Sequence, residues 1–275
     1  MRNLVHVSDL HFGRSDKSVV EGLFREMLAI RPDLVIISGD LTQRAHKSEF
    51  AEAHLFLERL KENGLRYFVI PGNHDIAPLY RPMERLLNPY KDYREHISQN
   101  TESFYSDDEI AIASINTVNR LTIESGSVAP EQLEAVHEWF SRFPETIVKI
   151  VVTHHPLHRN PRKFFRKPAR HARGALMNLT FSGVDAYLSG HLHRTAFSRP
   201  GALSVHAGTV SERLRGEPAS FNVISIELPH MIVEKRAWNE SAGTFKKGRA
   251  TALLIKNKFK EMKRRTQSVP KDASV

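Results

Sequence analysis

Tyr67-Phe68-Val69-Ile70-Pro71-Gly72-Asn73-His74-Asp75 decides how the chain is read. Four apolar residues of strand type run without a break into a turn that carries an amide, an imidazole and a carboxylate. The same pattern occurs upstream. Leu34-Val35-Ile36-Ile37 ends at Ser38-Gly39-Asp40, and Leu4-Val5-His6-Val7-Ser8 ends at Asp9-Leu10-His11-Phe12-Gly13. Helical spacing separates the three, with Val19-Val20, Leu23-Phe24 and Met27-Leu28 before Pro32. Phe50, Ala53-His54, Leu57 and Leu60 mark a second helix over roughly 47–63, with Gly64 behind it. Strand–helix–strand units of this kind predict an α/β fold with right-handed crossovers around a mostly parallel sheet.

Downstream, a strand over 109–115 and a helix over 130–142 opened by Pro130 precede Val148-Lys149-Ile150-Val151-Val152, which ends at Thr153-His154-His155-Pro156. A further strand, 184–188, leads into Ser189-Gly190-His191-Leu192-His193. The stretches 203–207, 220–227 and 230–237 read as antiparallel strands. The expected organisation is one domain over 1–240 and a basic tail over 241–275.

Five polar clusters therefore end five strands: Asp9/His11, Asp40, Asn73/His74/Asp75, His154 and His191/His193. Ligands of open α/β sheets bind outside the carboxyl ends of the strands, so loops leaving one sheet edge would pool these side chains in a crevice. Asp9, His11, Asp40, Asn73, His154, His191 and His193 form an oxygen and nitrogen donor set suited to Mn, Fe or Zn. Seven donors exceed what one ion needs and match two. A two-metal site requires a bridging carboxylate, and Asp40, alone on the middle cluster, is the natural one.

The clusters in order, Asp9-Leu10-His11, Gly39-Asp40, Gly72-Asn73-His74-Asp75, His154-His155-Pro156 and Gly190-His191-Leu192-His193, resemble the signature of the calcineurin-like metallophosphoesterases. The resemblance spans residues 4 to about 228 and is nearest the bacterial branch containing the class III cyclic-nucleotide phosphodiesterases. The stretch from Ala207-Gly208-Thr209 to Ser220-Phe221-Asn222 is similar to that branch too. It implies a four-layer α/β/β/α sandwich of two mixed sheets with helices outside. It also implies one metal on Asp9, His11 and His193, the other on Asn73, His154 and His191, and Asp40 bridging. The chemistry implied is phosphoester hydrolysis by a metal-bridging hydroxide. His74 would stabilise the transition state or protonate the leaving oxygen, with Asp75 holding its imidazole. Spacing to Pro156 favours His154 over His155 as the ligand.

Composition narrows the class. The chain has 275 residues, 40% hydrophobic and 26% charged, with no Cys and 15 His, so disulfides, thiolate metal sites and cysteine nucleophiles are excluded. No apolar run reaches the ~18–20 residues of a membrane span, and Asp9 interrupts the N-terminal apolar run too early for a signal peptide. A cytoplasmic protein is expected. Of the net +9, residues 246–275 carry +8 and 157–174 carry +7, leaving the rest at −6. Charge this local does not resemble a nucleic-acid-coating surface, and no stable nucleic-acid complex is expected.

The basic stretch with Arg159, Arg162 and Phe164-Phe165 leaves the His154 loop. It reads as a solvated loop, a cap on an anionic substrate, or a contact with anionic lipid. Arg213 and Arg215 are candidates for a substrate phosphate, with salt bridges to Glu212 or Glu217 the alternative. Over 250–265, Ala252, Ile255, Phe259 and Met262 share a helical face ringed by lysines. That helix would lie on an anionic membrane, dock on the body, or fray.

The expected activity is a phosphodiesterase acting on an anionic phosphoester, cyclic nucleotides included. A lipid-linked pyrophosphatase similar to the UDP-diacylglucosamine hydrolases is the alternative. A nuclease would need a DNA-binding portion for which there is little room, and a non-catalytic scaffold would need lost ligands, of which there are none.

Overall fold

The computed structural model describes residues 1–158, 167–198 and 202–255. Elements follow in the order β1 (Arg2–Val7), α1 (Lys17–Ile30), β2 (Leu34–Ser38), α2 (Lys47–Glu62), β3 (Tyr67–Ile70), α3 (Pro82–Leu87), α4 (Lys91–His96), β4 (Phe104–Ser106) and β5 (Ile110–Ile115). Then come α5 (Pro130–Ser141), β6 (Val148–Thr153), α6 (Ala172–Phe181), β7 (Ala186–Ser189), β8 (Ala196–Ser198), β9 (Leu203–His206), β10 (Ser220–Glu227), β11 (His230–Asn239) and β12 (Thr244–Leu254).

The strands form two six-stranded sheets, β12-β11-β10-β1-β2-β3 and β4-β5-β6-β7-β9-β8. In the first, β1, β2 and β3 are parallel and β10 to β12 antiparallel; in the second, β5, β6, β7 and β9 are parallel between antiparallel edges. Alternation along each strand divides the apolar residues between faces. Leu4, Ile36 and Phe68 of the first sheet meet Ile112, Ile150 and Leu188 of the second in the inner core. Val5, Val35 and Val69 face outward, where Leu23, Met27, Phe50 and Leu57 of α1 and α2 cover them. Val151 and Tyr187 lie beneath α5 and α6, with Val136, Phe140 and Leu179. The result is the four-layer α/β/β/α sandwich. A fully buried Leu or Ile contributes roughly 1.5–3 kcal/mol, so the inner layer fixes the two sheets against each other.

Three sequence readings change. The five clusters do not leave one sheet edge: β1, β2 and β3 supply three and β6 and β7 of the other sheet supply two, so the crevice lies on the seam between sheets. Strand β9 is antiparallel only to β8 and runs parallel to β7. Residues 250–254 are strand, not helix. β12 pairs with β11 across the 240/241 boundary expected for the domain, and the ladder continues to Leu254. Phe245 and Ile255 are buried while the basic residues between them face outward, which an edge strand satisfies better than a helix. Residues 256–275, with the rest of the expected amphipathic face, lie outside the described residues.

Candidate metal centre

Strands β1, β2 and β3 deliver Asp9, Asp40 and Asn73 at adjacent loop positions because the strands are parallel neighbours. The loops are then tied together: Asp9 N–H donates to Gly39 O and His11 N–H to Asp40 O, both at 3.0 Å. Asp9, His11, Asp40, His191 and His193 all have positive φ, between 45° and 67°. Non-glycine residues rarely hold this conformation, which costs of order 1–3 kcal/mol each, and such strain is kept where the surroundings over-determine it. The motif glycines have a steric reason. A Cβ at Gly190 would overlap Ser8 Oγ and lie 2.7 Å from Asp9 Oδ2, and one at Gly72 would overlap Asp40.

Each histidine of the centre that shows its partners is oriented in the same way. Nδ1 of His11, His154 and His193 donates to the carbonyls of Thr42 (3.1 Å), Ser38 (2.8 Å) and Arg213 (2.7 Å). A carbonyl can only accept, so in the neutral form of each ring the lone pair sits on Nε2. Apart from Arg213 Nη1, 3.4 Å from His11 Nε2, these lone pairs face other acceptors. His11 Nε2 lies 3.3 Å from His193 Nε2 and 3.6 Å from Asp40 Oδ2. His193 Nε2 lies 3.2 Å from Asp9 Oδ1. His154 Nε2 lies 3.3 Å from Asp40 Oδ2 and 3.1 Å from Asn73 Oδ1. The Asn73 amide donates its Nδ2 to Ile123 O at 3.1 Å, which fixes the oxygen toward His154.

Among the described residues no hydrogen-bond donor reaches buried Asp9 Oδ1. Acceptors crowded on acceptors, buried except for half-buried Asn73, need positive charge among them, and the donor set therefore fits metal ions. Two clusters with ligand atoms within 4.8 Å of one another result: Asp9, His11, Asp40 and His193, and His154, His155 and His191.

Titration follows the same logic. Burial opposes charge on Asp9 and Asp40, but the surrounding imidazoles override it and hold both carboxyls well below their ordinary range. Burial likewise pulls His154 down, yet the Asp40 and Asp9 carboxylates raise it to about 9. Burial is the largest influence on His11 and lowers it.

The remaining candidates divide. His155 sits beside the pair, its Nδ1 2.9 Å from Thr117 Oγ1 and its ring 4.4 Å from that of His191. His74 is anchored by Nδ1 donating to Gln43 O at 2.6 Å, and Arg213 Nη1 donates to its Nε2 at 2.8 Å. Asp75 does not hold His74, contrary to expectation. Its two oxygens accept from the N–H groups of Gly72, Leu41 and Thr42 and from Thr42 Oγ1. It clamps the loop after β3 to the loop after β2. Burial and then the Asp40 charge push its carboxyl up to about 6. Arg215 is exposed, and its carbonyl accepts from Arg194 Nε; Glu217 pairs with Lys235. Arg159 and Arg162 lie outside the described residues.

The backbone acceptors Ser38, Thr42, Gln43 and Arg213 were invisible in the sequence, since any residue supplies a carbonyl. Thr209, whose hydroxyl donates to Asp9 O at 2.7 Å, gave no spacing signal either.

Residues 2–195 match the family model described as Calcineurin-like phosphoesterase. The chain belongs to the calcineurin-like phosphoesterase family. Members are metal-dependent phosphoester hydrolases with a dinuclear centre, and the acceptor cluster of this family member answers to that chemistry. It is 26% identical over 207 residues to a probable glycerophosphodiester phosphodiesterase, GpdQ, of Arcobacter nitrofigilis, covering 70% of this chain and 72% of the relative. It is 25% identical over 165 residues to the 3',5'-cyclic adenosine monophosphate phosphodiesterase CpdA of Haemophilus influenzae, covering 59% of this chain and 55% of that protein. A dimetal phosphatase from Danio rerio shares the fold, with a TM-score of 0.66 at 12% identity over 92% of this chain and 99% of the other. Among the described residues no helix is long and apolar enough to cross a membrane.

Proposed function

We propose that this phosphoesterase hydrolyses phosphodiesters at a two-metal centre. One ion would be held by Asp9, His11 and His193, the other by Asn73, His154 and His191, with Asp40 between them. The observation that carries the assignment is Asp40 Oδ2, which lies within 3.6 Å of Nε2 of both His11 and His154, one from each set. Mn, Fe and Zn all suit these donors. Bound there, the ions supply Lewis acidity toward a phosphoryl oxygen and lower the pKa of water.

The chain's own residues do the rest. Gln43 O and Arg213 hold the His74 ring from opposite sides, so its Nε2 lone pair receives a hydrogen bond before substrate arrives. An entering phosphoryl oxygen would take over Arg213 Nη1 in a charge-assisted bond. His74 then faces the same oxygen region as a positioned neighbour. Both named relatives act, by their names, on diesters, one glycerol-linked and one cyclic. That shared chemistry supports a diester, a cyclic nucleotide included, over a monoester.

The test is turnover by the Mn-loaded protein of bis-p-nitrophenyl phosphate, p-nitrophenyl phosphate, cyclic AMP and a UDP-linked lipid. The proposal expects the diesters to lead. A monoester turned over faster than every diester, or a preference for the pyrophosphate of the UDP-lipid, would reject it.

A further inference from the structure

Next to the acceptor cluster lies a cleft of about 380 Å³, in the range of small-ligand sites. Asn73 and His74 line it together with apolar Ile76, Leu79, Tyr80 and Ile123, and the cations Arg85 and exposed Arg44 also border it. The rim continues the apolar surface outward. Of the fourteen exposed large apolar side chains among the described residues, five lie at 79–87 and two at 121–123. Met83, Leu87 and Leu121 are 67%, 72% and 77% exposed. Scattered apolar residues on a surface need no explanation, but half of them on two segments that both reach this cleft, through Leu79, Tyr80 and Ile123, do.

The gathering is built, not incidental. Arg85 is 7% exposed, and no carboxylate pairs with it among the described residues. Its guanidinium donates to Ala77 O (2.6 Å), Arg120 O (2.7 Å) and Thr122 O (2.6 Å). Arg120 Nη1 returns a bond to Leu86 O at 2.8 Å. A cation is thus taken out of water to lock the two segments together, and burial lowers its pKa accordingly. What that clamp presents is an apolar crest continuous with Asn73, whose Nδ2 bonds Ile123 O.

We propose that the cleft and crest bind a hydrocarbon chain carried by the phosphoester, so that the substrate is an amphiphile. The inference rests on the phosphodiesterase reading for its chemistry, but binding alone tests it. Continuity decides the occupant: a group attached to phosphorus at the acceptor cluster and leaving past His74 enters this cleft first.

The Mn-loaded protein is titrated by calorimetry with methyl-, butyl- and octylphosphonate below their aggregation concentrations. Full burial of a methylene gives about a fourfold gain in affinity. The cleft is open on one side, so about twofold per methylene is expected, or roughly a hundredfold from methyl to octyl. A double variant Leu79→Ser, Ile123→Ser should flatten the series, and Leu55→Ser, an exposed residue on α2, should leave it steep. Thermal unfolding confirms that the variants fold. A flat series in the unmodified protein, or equal steepness in the double variant, would overturn the proposal. So would a flat series together with binding to neutral phosphatidylcholine vesicles, which would make the crest a bilayer contact. Failure of the diesterase reading shows separately, as absent turnover of bis-p-nitrophenyl phosphate with a steep phosphonate series.

Discussion

Replacing Asp75 distinguishes a loop clamp from a catalytic helper. Its carboxylate accepts from three buried backbone N–H groups, Gly72 at 2.8 Å, Leu41 at 3.1 Å and Thr42 at 2.8 Å, and from the Thr42 hydroxyl at 2.9 Å. Asp75→Ala strands all three N–H groups, each worth about 1–3 kcal/mol when left unsatisfied. Water entering the space relieves part of this, so a loss of about 3–5 kcal/mol is expected. Asp75→Asn is milder and more informative. Its amide oxygen can stay on Gly72 and Leu41, leaving its NH₂ against the Thr42 N–H. The Thr42 hydroxyl still donates to His74 O. One stranded N–H predicts a loss of about 1–3 kcal/mol. Urea unfolding of EDTA-treated protein measures it without metal linkage. Metal analysis after reloading should show reduced occupancy, because Leu41 and Gly72 adjoin Asp40 and Asn73. If Asp75→Asn leaves the urea midpoint and metal content unchanged but lowers kcat, the clamp is the wrong role and Asp75 acts on His74 after all.

Gly190→Ala forces a methyl onto Ser8 Oγ and Asp9, so metal stoichiometry should fall and stability should drop by about 1–3 kcal/mol; full occupancy would show that the loop has room to move. Burial holds His6 down to about 3 and His206 to about 4, against an ordinary 6.5. Both stay neutral in the fold while the unfolded chain protonates, so their contribution is complete above pH 6.5 and is lost as pH falls. Each adds a slope of up to about 1.4 kcal/mol per pH unit down to its folded pKa, and urea titrations between pH 7 and 4.5 that show no such slope would contradict their burial. The charge of +8 over 246–275 predicts binding to anionic vesicles at low salt that fades as salt rises, at about 1 kcal/mol per basic residue near the surface. Indifference of the full chain to such vesicles at low salt would remove the membrane contact.

The site was more legible than the sheets around it. A turn after an apolar strand that must hold Asp, His or Asn against a neighbour leaves its mark in residue type, and Asp9, Asp40 and Asn73 could be read from that. The split into two sheets left none. β1 and β6 are both buried on two faces, and a buried strand has the same composition whichever sheet it joins. β9 was read as antiparallel for the same reason, although it runs parallel to β7. Residues 250–255 misled because Ala252 and Ile255 fit a helical face, whereas the deciding fact is long-range: β11 offers an open edge that β12 completes. Asp75 misled because proximity to His74 in sequence says nothing about which N–H groups a carboxylate faces. The left-handed conformations of five candidate ligands are legible only in part, through the glycines beside them.

Those conformations explain why the centre sits on the seam. Asp9, His11, Asp40 and Asn73 come from loops of the first sheet, and His154, His191 and His193 from loops of the second. Neither sheet alone supplies enough donors for two ions. Three bonds lace the loops without metal: His154 Nδ1 to Ser38 O, His191 N–H to Asp9 Oδ2 at 2.9 Å, and His193 Nδ1 to Arg213 O. They preset the rings, so that little ordering is left for binding to oppose. What they cannot remove is the repulsion of Nε2 lone pairs and the Asp and Asn oxygens at 3.1–3.6 Å. A proton on His154 relieves part of that repulsion, which is why the Asp40 and Asp9 carboxylates raise its pKa despite burial. Ions held by this donor set would relieve it and tie both sheets at once, so metal affinity would be inter-sheet stability expressed at one edge.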